Sequence, residues 1–240
     1  MGLRTFSAMC KTRLHNFIGR YPGLYRSVVK LDEDLSRRFV RSDSKIVIDG
    51  YPRSANTFAY HAFRWAQEQR KGEAESMHIG HHVHQPAHIL RAVEFEIPVV
   101  LLIRNPIETV LSYVVRHSEW LTVKYALRSY VNFYKSVLPV KDQVVIGVFA
   151  EVTQKFGHTI RRVNEKWGRK FRIFNHTIEN EKIIFRRIES VNARQHEGNE
   201  RKISRPSAYK EELKEKYRSE LSQYEQRLEE AQSVYNQVIK

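Results

Sequence analysis

Three short, unbroken apolar runs lie in the middle of the chain, and each gives way to a turn or a helical pattern. KIVID (45–49) is followed by a turn and then by Phe58, His61 or Ala62, Trp65 and Ala66, the spacing of one helix face. IPVVLLIR (97–104) passes through Asn105-Pro106 into IETVLSYVVRH (107–117), and QVVIGVF (143–149) is the third run. Strands without polar alternation are buried on both faces, as in a parallel sheet whose crossover helices cover it. The pattern therefore predicts an α/β fold of three layers: a central, mostly parallel sheet with helices on both faces.

The flanks read differently. Residues 1–43 hold short helical patterns broken at Pro22-Gly23, expected as helices against the edge of an α/β core spanning 44–185. Beyond residue 185 the strand pattern stops. NARQHEGNERKISRPSAYK (192–210) is polar and basic and reads as a loop, and one long helix is expected over 206–240. In that helix Leu221, Leu228 and Tyr235 alternate with Tyr217, Tyr224, Ala231 and Val238 in about three heptads. Such a stripe suits a helix docked on its own domain, with a homodimer seam as the alternative. One domain over 1–240 is expected, without internal repeats.

Composition changes the picture in one respect. Forty-one Lys and Arg face 27 Asp and Glu, a net charge of +14. That excess implies an anionic partner: a phosphorylated cofactor, nucleic acid, an acidic glycan or a membrane surface. The single cysteine, Cys10, excludes an intrachain disulfide and a cysteine metal site. No run approaches the roughly 18 apolar residues of a membrane span. The basic N-terminus lacks a signal-peptide core, and Phe6 stands where a myristoylation signal needs Ser or Thr. A cytoplasmic protein is the expectation.

Candidate chemistry sits at the ends of the predicted strands. YPRSANTF (51–58) is a strand-to-helix turn, which presents free backbone N–H groups and the positive end of a helix dipole. Ser54, Asn56 and Thr57 add donors, and Arg53 adds a planar, permanently charged fork. The glycines and lysine of a G-x-x-x-x-G-K-S/T loop are missing. The same Ser, Asn and Thr are also good helix caps, so an anion loop and a capped helix start both fit. In RNPIETVLSY (104–113), Arg104 again ends a strand, where open α/β sheets bind ligands, and Ser112 lies two turns into the helix that Pro106 begins. Two such Arg-bearing ends suit a ligand with two separated phosphates. The plain alternative is an Arg104–Glu108 pair at i,i+4.

YPRSANTF resembles the 5′-phosphosulfate loop, Y-P-K/R-S-G-T/N-T-W/F, of sulfotransferases that use 3′-phosphoadenosine-5′-phosphosulfate (PAPS). RNPIETVLSY resembles that family's 3′-phosphate motif, R-N/D-P-x-D/E-x-x-V/L-S-x-Y, through its Ser, with the same eight-residue spacing from Arg104 to Ser112. The resemblance implies a P-loop-NTPase-like core, PAPS as cosubstrate with 3′,5′-adenosine bisphosphate (PAP) as product, and sulfuryl transfer to a hydroxyl or amine acceptor. The Arg-Ser form of the loop resembles carbohydrate- and protein-tyrosine-directed members, which favours a carbohydrate or other hydroxylated acceptor over a phenol or steroid. The resemblance places Arg53, Ser54, Ala55, Asn56 and Thr57 around the phosphosulfate and Phe58, in place of Trp, on adenine. Arg104 and Ser112 fall on the 3′-phosphate, and Arg201-Lys202 in ERKISRPS on a basic closing loop. Ala55 and Ile203 stand where the family has Gly.

Sulfuryl transfer needs a cation at the leaving oxygen and a base for the acceptor's proton. Arg53 stays charged and so acts on that oxygen electrostatically. MHIGHHVHQPAHIL (77–90) offers His78, His81, His82, His84 and His88 for the base. HVHQP (82–86) resembles the K-T-H-x-P of cytosolic family members, which puts His84 on the base and His82 on the Lys. His78 and His88 are expected as polar residues lining a cleft. Zinc is not expected, because no Cys or acidic ligand lies close by in sequence. KFGHTIRRVNE (155–165) echoes the family's dimer motif with its Glu one residue late. A P-loop kinase-like phosphotransferase would want Mg²⁺ and a loop Lys. A nucleic-acid module would want interleaved cations and aromatics, of which Tyr21, Tyr25, Arg26 and Lys30 give only a trace, so no nucleic-acid partner is expected.

Overall fold

A computed structural model describes residues 3–69, 77–196 and 208–240. The chain opens with three helices, α1 (Leu3–Ile18), α2 (Pro22–Lys30) and α3 (Glu33–Arg38), and then alternates. β1 (Ile46–Gly50) leads to α4 (Asn56–Glu68), β2 (Ile79–His81) to α5 (Pro86–Glu94), and β3 (Val99–Ile103) to α6 (Pro106–Arg116) and α7 (Val123–Val137). β4 (Val145–Val148) runs directly into α8 (Phe149–Trp167), followed by α9 (Ile178–His196), α10 (Ala208–Leu221) and α11 (Glu225–Ile239). Local chemistry explains several of these boundaries. Pro22, Pro86 and Pro106 each stand in the first turn of a helix, where a missing N–H costs nothing. Gly168 (φ 59°) supplies the left-handed cap that ends α8.

The four strands are all parallel, in the order β2-β1-β3-β4. β3 shows why the apolar runs lack alternation. Val99, Leu101 and Ile103 pack in one core cluster with side chains from α2, α5, α6, α7 and α11, whereas Val100 and Leu102 pack in a second with α4, α8 and α9. The sheet therefore has a helical layer on each face, as the three-layer expectation required. Both clusters place large residues at zero exposure, among them Tyr130, Tyr134, Phe63 and Phe156.

Three expectations need correction. A fourth strand, β2, pairs with β1 through Ile46↔Ile79 and Ile48↔His81; at three residues with a central glycine it carries no readable period. The C-terminal helix is two helices, interrupted by a 3₁₀ turn at Ser222–Tyr224. The expected loop over 192–210 is shortened at both ends, because α9 continues to His196 and α10 starts at Ala208. Arg201 and Lys202 lie outside the described residues.

The heptad stripe docks on its own domain. Leu221, Ala231 and Val238 are buried, and Tyr217, Tyr224, Leu228 and Tyr235 pack on the same cluster as α6 and α7. Among the described residues no helix is long and apolar enough to cross a membrane.

Candidate active site at the carboxyl ends of β1 and β3

The strand order reverses at β1, whose neighbours are β2 on one side and β3 on the other. In open parallel sheets the crevice beyond the carboxyl ends at such a point is where ligands bind, since the following loops diverge to opposite faces. Here those loops are 51–55 after β1 and 104–105 after β3.

The first loop is anchored by its aromatic residue. Tyr51 donates to Ala126 O (3.0 Å), lies 2.6 Å from Ser129 Oγ, and its ring meets Tyr113, Tyr130 and Phe133 at 5.4–5.9 Å. The backbone then turns through left-handed geometry twice, at Arg53 (φ 72°) and Ala55 (φ 70°), with Ser54 between them outside that region. Alternation of this kind points successive N–H groups into one concavity, a nest for an anion. Ala55 is also the residue preceding α4 and offers no side-chain cap, so the amino end of that helix stays open to a ligand. The contrast with α6 is direct: Asn105 Oδ1 accepts from Ile107 N (3.0 Å) and Glu108 N (3.4 Å) and closes that helix end.

Side chains in the loop divide sharply. Ser54 is fully buried, and its hydroxyl lies 3.4 Å from the Tyr134 hydroxyl, which donates to Leu102 O. Asn56, 4 % exposed, uses its amide nitrogen to hold Tyr51 O at 3.0 Å. Both were expected to offer side-chain donors to the phosphosulfate. The Ser54 hydroxyl is turned into the core, whereas Asn56 reaches the cavity lining with its amide nitrogen held by Tyr51 O. Phe58 is 6 % exposed among Phe174, His176 and Phe185, so much of its ring is already covered.

A left-handed alanine is strained, by roughly 1–2 kcal/mol relative to its preferred conformations. Ala55→Gly removes the strain at some cost in unfolded-state entropy. The expected net result is a gain of up to about 1 kcal/mol, seen as a melting temperature about 2–4 °C higher by calorimetry. A lower melting temperature would mean that the alanine methyl contributes packing that outweighs the strain.

The two loops meet through their arginines. Arg53 Nε donates to Ser112 Oγ at 3.0 Å, and Arg104 lies 3.5 Å from Arg53 O. Arg104 also stacks over the Phe149 ring at 4.1 Å and pairs with Glu108 at 3.3 Å, so the plain i,i+4 pair is present. Glu108 is shared, however, with Lys214 (3.4 Å) and Arg218 (3.8 Å) from α10. Burial, then repulsion from Arg116 and Arg104, pushes the Arg53 pKa down to about 9. Burial also lowers Arg104 and Arg116. Arg53, Arg104, Arg116, Lys210 and Lys214 line one cavity of about 650 Å³, against the carboxylates of Glu108, Glu181 and Glu211. A crowd of cations held out of water in this way favours a bound anion.

A second cavity, of about 820 Å³, lies on the other side of Pro52. The two share Pro52, His82, His84 and Tyr113. The shared histidines are positioned by a residue that the sequence reading passed over. Asp49, 1 % exposed at the end of β1, accepts from the backbone N–H of Gly50 (2.8 Å), Val83 (2.8 Å) and His84 (3.0 Å), and from His88 Nδ1 (2.8 Å). Burial alone would raise its pKa, but the charge and hydrogen bond of His84 and the hydrogen bond from His88 hold it well below the usual carboxylate range. Arg38 adds a bond to His82 O at 2.6 Å. These ties hold His82 (φ 51°) and His84 (φ 57°) in left-handed backbone, a strain that persists only where surrounding contacts enforce it.

Each histidine then has a distinct position. His84 Nδ1 is 2.8 Å from Gly50 O and 3.0 Å from Asp49 Oδ1; both are acceptors, so Nδ1 donates and Nε2 is left out of these contacts. His82 has both nitrogens engaged, Nδ1 with His81 Nδ1 (2.8 Å) and Nε2 with Thr57 Oγ1 (3.1 Å). Burial, followed by repulsion from His84 and His81, pushes the His82 pKa well down, so it is neutral where the resemblance suggested a Lys. His88 does not line a cleft: it is fully buried, stacked on Phe39, with Nε2 unpartnered and so close to Gly80 that a Cβ there would lie 2.6 Å away. His78 ties Ser44 (2.7 Å) to Arg37 O (2.9 Å) and lines neither cavity. Among the described residues no group of three or more His, Cys, Asp or Glu is placed to hold a metal ion.

Asp49, Arg116 and Lys214 are the site residues the sequence reading missed. Asp49 had a signal, since a carboxylate closing an apolar strand must find partners. Arg116 had one too, one helical turn beyond Ser112 on the same face. Lys214 had none, because only the packing of α10 brings it here. No protein-family model matches the chain, and no curated protein matches it.

Proposed function

We propose that the chain is a PAPS-dependent sulfotransferase with a P-loop-NTPase-like core, moving a sulfuryl group to a hydroxyl acceptor across the junction of the two cavities. The observation that carries this reading is the Arg53–Ser112 hydrogen bond. It joins the loop expected at the phosphosulfate to the motif expected at the 3′-phosphate, beside an uncapped helix terminus. The residues suit the cosubstrate: a backbone nest and an open α4 terminus for one phosphate-like group, and Arg104, Ser112 and Arg116 for a second. PAPS supplies an activated sulfuryl group whose leaving group is a phosphate oxygen. Arg53 neutralises the charge that grows on that oxygen as its bond to sulfur breaks. His84 Nε2 takes the proton of the acceptor hydroxyl as the new oxygen–sulfur bond forms, and Asp49 holds the imidazolium that results.

Direct binding tests the reading. A ligand at a hundred times its dissociation constant stabilises a protein by about 2.7 kcal/mol, which for a chain of this size is a melting shift of roughly 5–10 °C. PAP is expected to produce such a shift, and ATP with Mg²⁺ is not. Arg104→Ala is expected to weaken PAP by about 10–100-fold, the loss of a charge-assisted contact. A shift with ATP and Mg²⁺ but none with PAP overturns the proposal.

A further inference from the structure

We infer that the acceptor is an acidic oligosaccharide, one bearing carboxylate or sulfate groups near the hydroxyl that reacts; this rests on the transferase reading above. The cavity on the far side of His84 is lined by six cationic side chains, Lys11, Arg13, Arg20, Arg38, Lys124 and Arg128, against a single carboxylate, Asp32. Asp32 is partly occupied, since it caps α3 by accepting from Leu35 N at 3.0 Å. Arg38 is committed to Asp34 and to His82 O. Among the described residues the other five cations make no ion pair with a carboxylate.

Their distribution matters as much as their number. Lys11 and Arg13 come from α1, Arg20 from the turn after it, and Lys124 and Arg128 from α7. Charge spread over separate elements matches several anionic groups along an extended ligand better than one. A cavity with one sign of charge and low-dielectric walls concentrates ligands of the opposite sign. A small neutral phenol would gain nothing from these charges.

The rest of the lining favours a sugar over a peptide. Phe17, Tyr113 and Tyr125 offer ring surfaces, and Thr122 and Asn132 offer a hydroxyl and an amide for a hydroxyl-rich ring. Peptide recognition commonly adds a strand to a sheet edge, and no lining residue belongs to a strand. His84, the proton acceptor, lines this cavity as well as the cosubstrate cavity.

The test measures two ligands on the same samples. A chondroitin sulfate tetrasaccharide, its desulfated and carboxyl-reduced neutral counterpart, and a Glu-rich tyrosine peptide are titrated by calorimetry, each with and without saturating PAP. The tetrasaccharide is expected to bind, more weakly as salt rises, and the neutral form at least 10-fold more weakly. The double substitution Arg13→Glu with Arg128→Glu is expected to weaken the tetrasaccharide by at least 10-fold. Both positions are exposed, so the fold is not at stake. Equal binding of the neutral form, or an unchanged double variant, overturns the inference while PAP binding keeps the transferase reading. Tighter binding of the peptide than of the tetrasaccharide overturns the choice of a sugar. Failure of PAP to bind removes the transferase reading and, with it, the acceptor. The two failures are told apart by which ligand is lost.

Discussion

If the chain is the transferase proposed above, His84→Asn is expected to lower the rate of sulfuryl transfer by about 10²–10⁴-fold, the usual worth of a positioned general base. PAP affinity stays within about threefold, because the phosphate-directed groups are the loop backbone and the arginines. Asp49→Asn separates a positioning role from a merely structural one. Removing the carboxylate removes an acceptor that orients the ring through Nδ1, so kcat is expected to fall by about 10²-fold with KM and PAP binding little changed. Asp49→Asn is also expected to cost about 3–5 kcal/mol of stability, since a buried partner is removed from a charged network. A His84→Asn enzyme with full turnover would assign the base elsewhere.

Arg53→Met is the second large effect. Loss of one preorganised group at a developing oxyanion typically costs 10²–10³-fold in kcat, about 3–4 kcal/mol. Arg53 stands among Arg104 and Arg116, and burial with their repulsion has already drawn its pKa down to about 9. Without a ligand its charge opposes folding; with an anionic ligand it is compensated. The ligand-free melting temperature of Arg53→Met is therefore expected within about 2 °C of the parent, while the shift produced by PAP shrinks by more than half. Arg53→Lys keeps the charge and loses the Nε fork that reaches Ser112, and should recover part of kcat. Equal losses in ligand-free stability and in PAP binding would show Arg53 to be a packing residue.

Much of the architecture could be read before any coordinates. β1, β3 and β4 stood out because a strand buried on both faces must be apolar at every position, a local property. Ser112 and the two arginines stood out for a similar reason, since strand ends and fixed spacing are sequence features. β2 escaped because Ile79, Gly80 and His81 are too few to show a period. The histidines are the sharper case. His84 and His88 are four residues apart and both contact Asp49, yet His88 is sealed beneath Gly80 and Phe39 while His84 opens on two cavities.

The amino-acid sequence by itself determined the layers, the location of the site at the ends of β1 and β3, and the excess of positive charge. Those follow from periodicity, from the chemistry of helix termini and from residue counts. Tertiary structure decided the rest. Burial turned Ser54 inward and tied the Asn56 amide to Tyr51 O. Packing folded the heptad stripe onto its own core and brought Lys214 to the cavity lined by Arg53 and Arg104. It also set Asp49 under the 82–84 turn, where Asp49 and Gly50 O hold His84 through Nδ1, because only contacts between distant segments can fix which ring nitrogen donates.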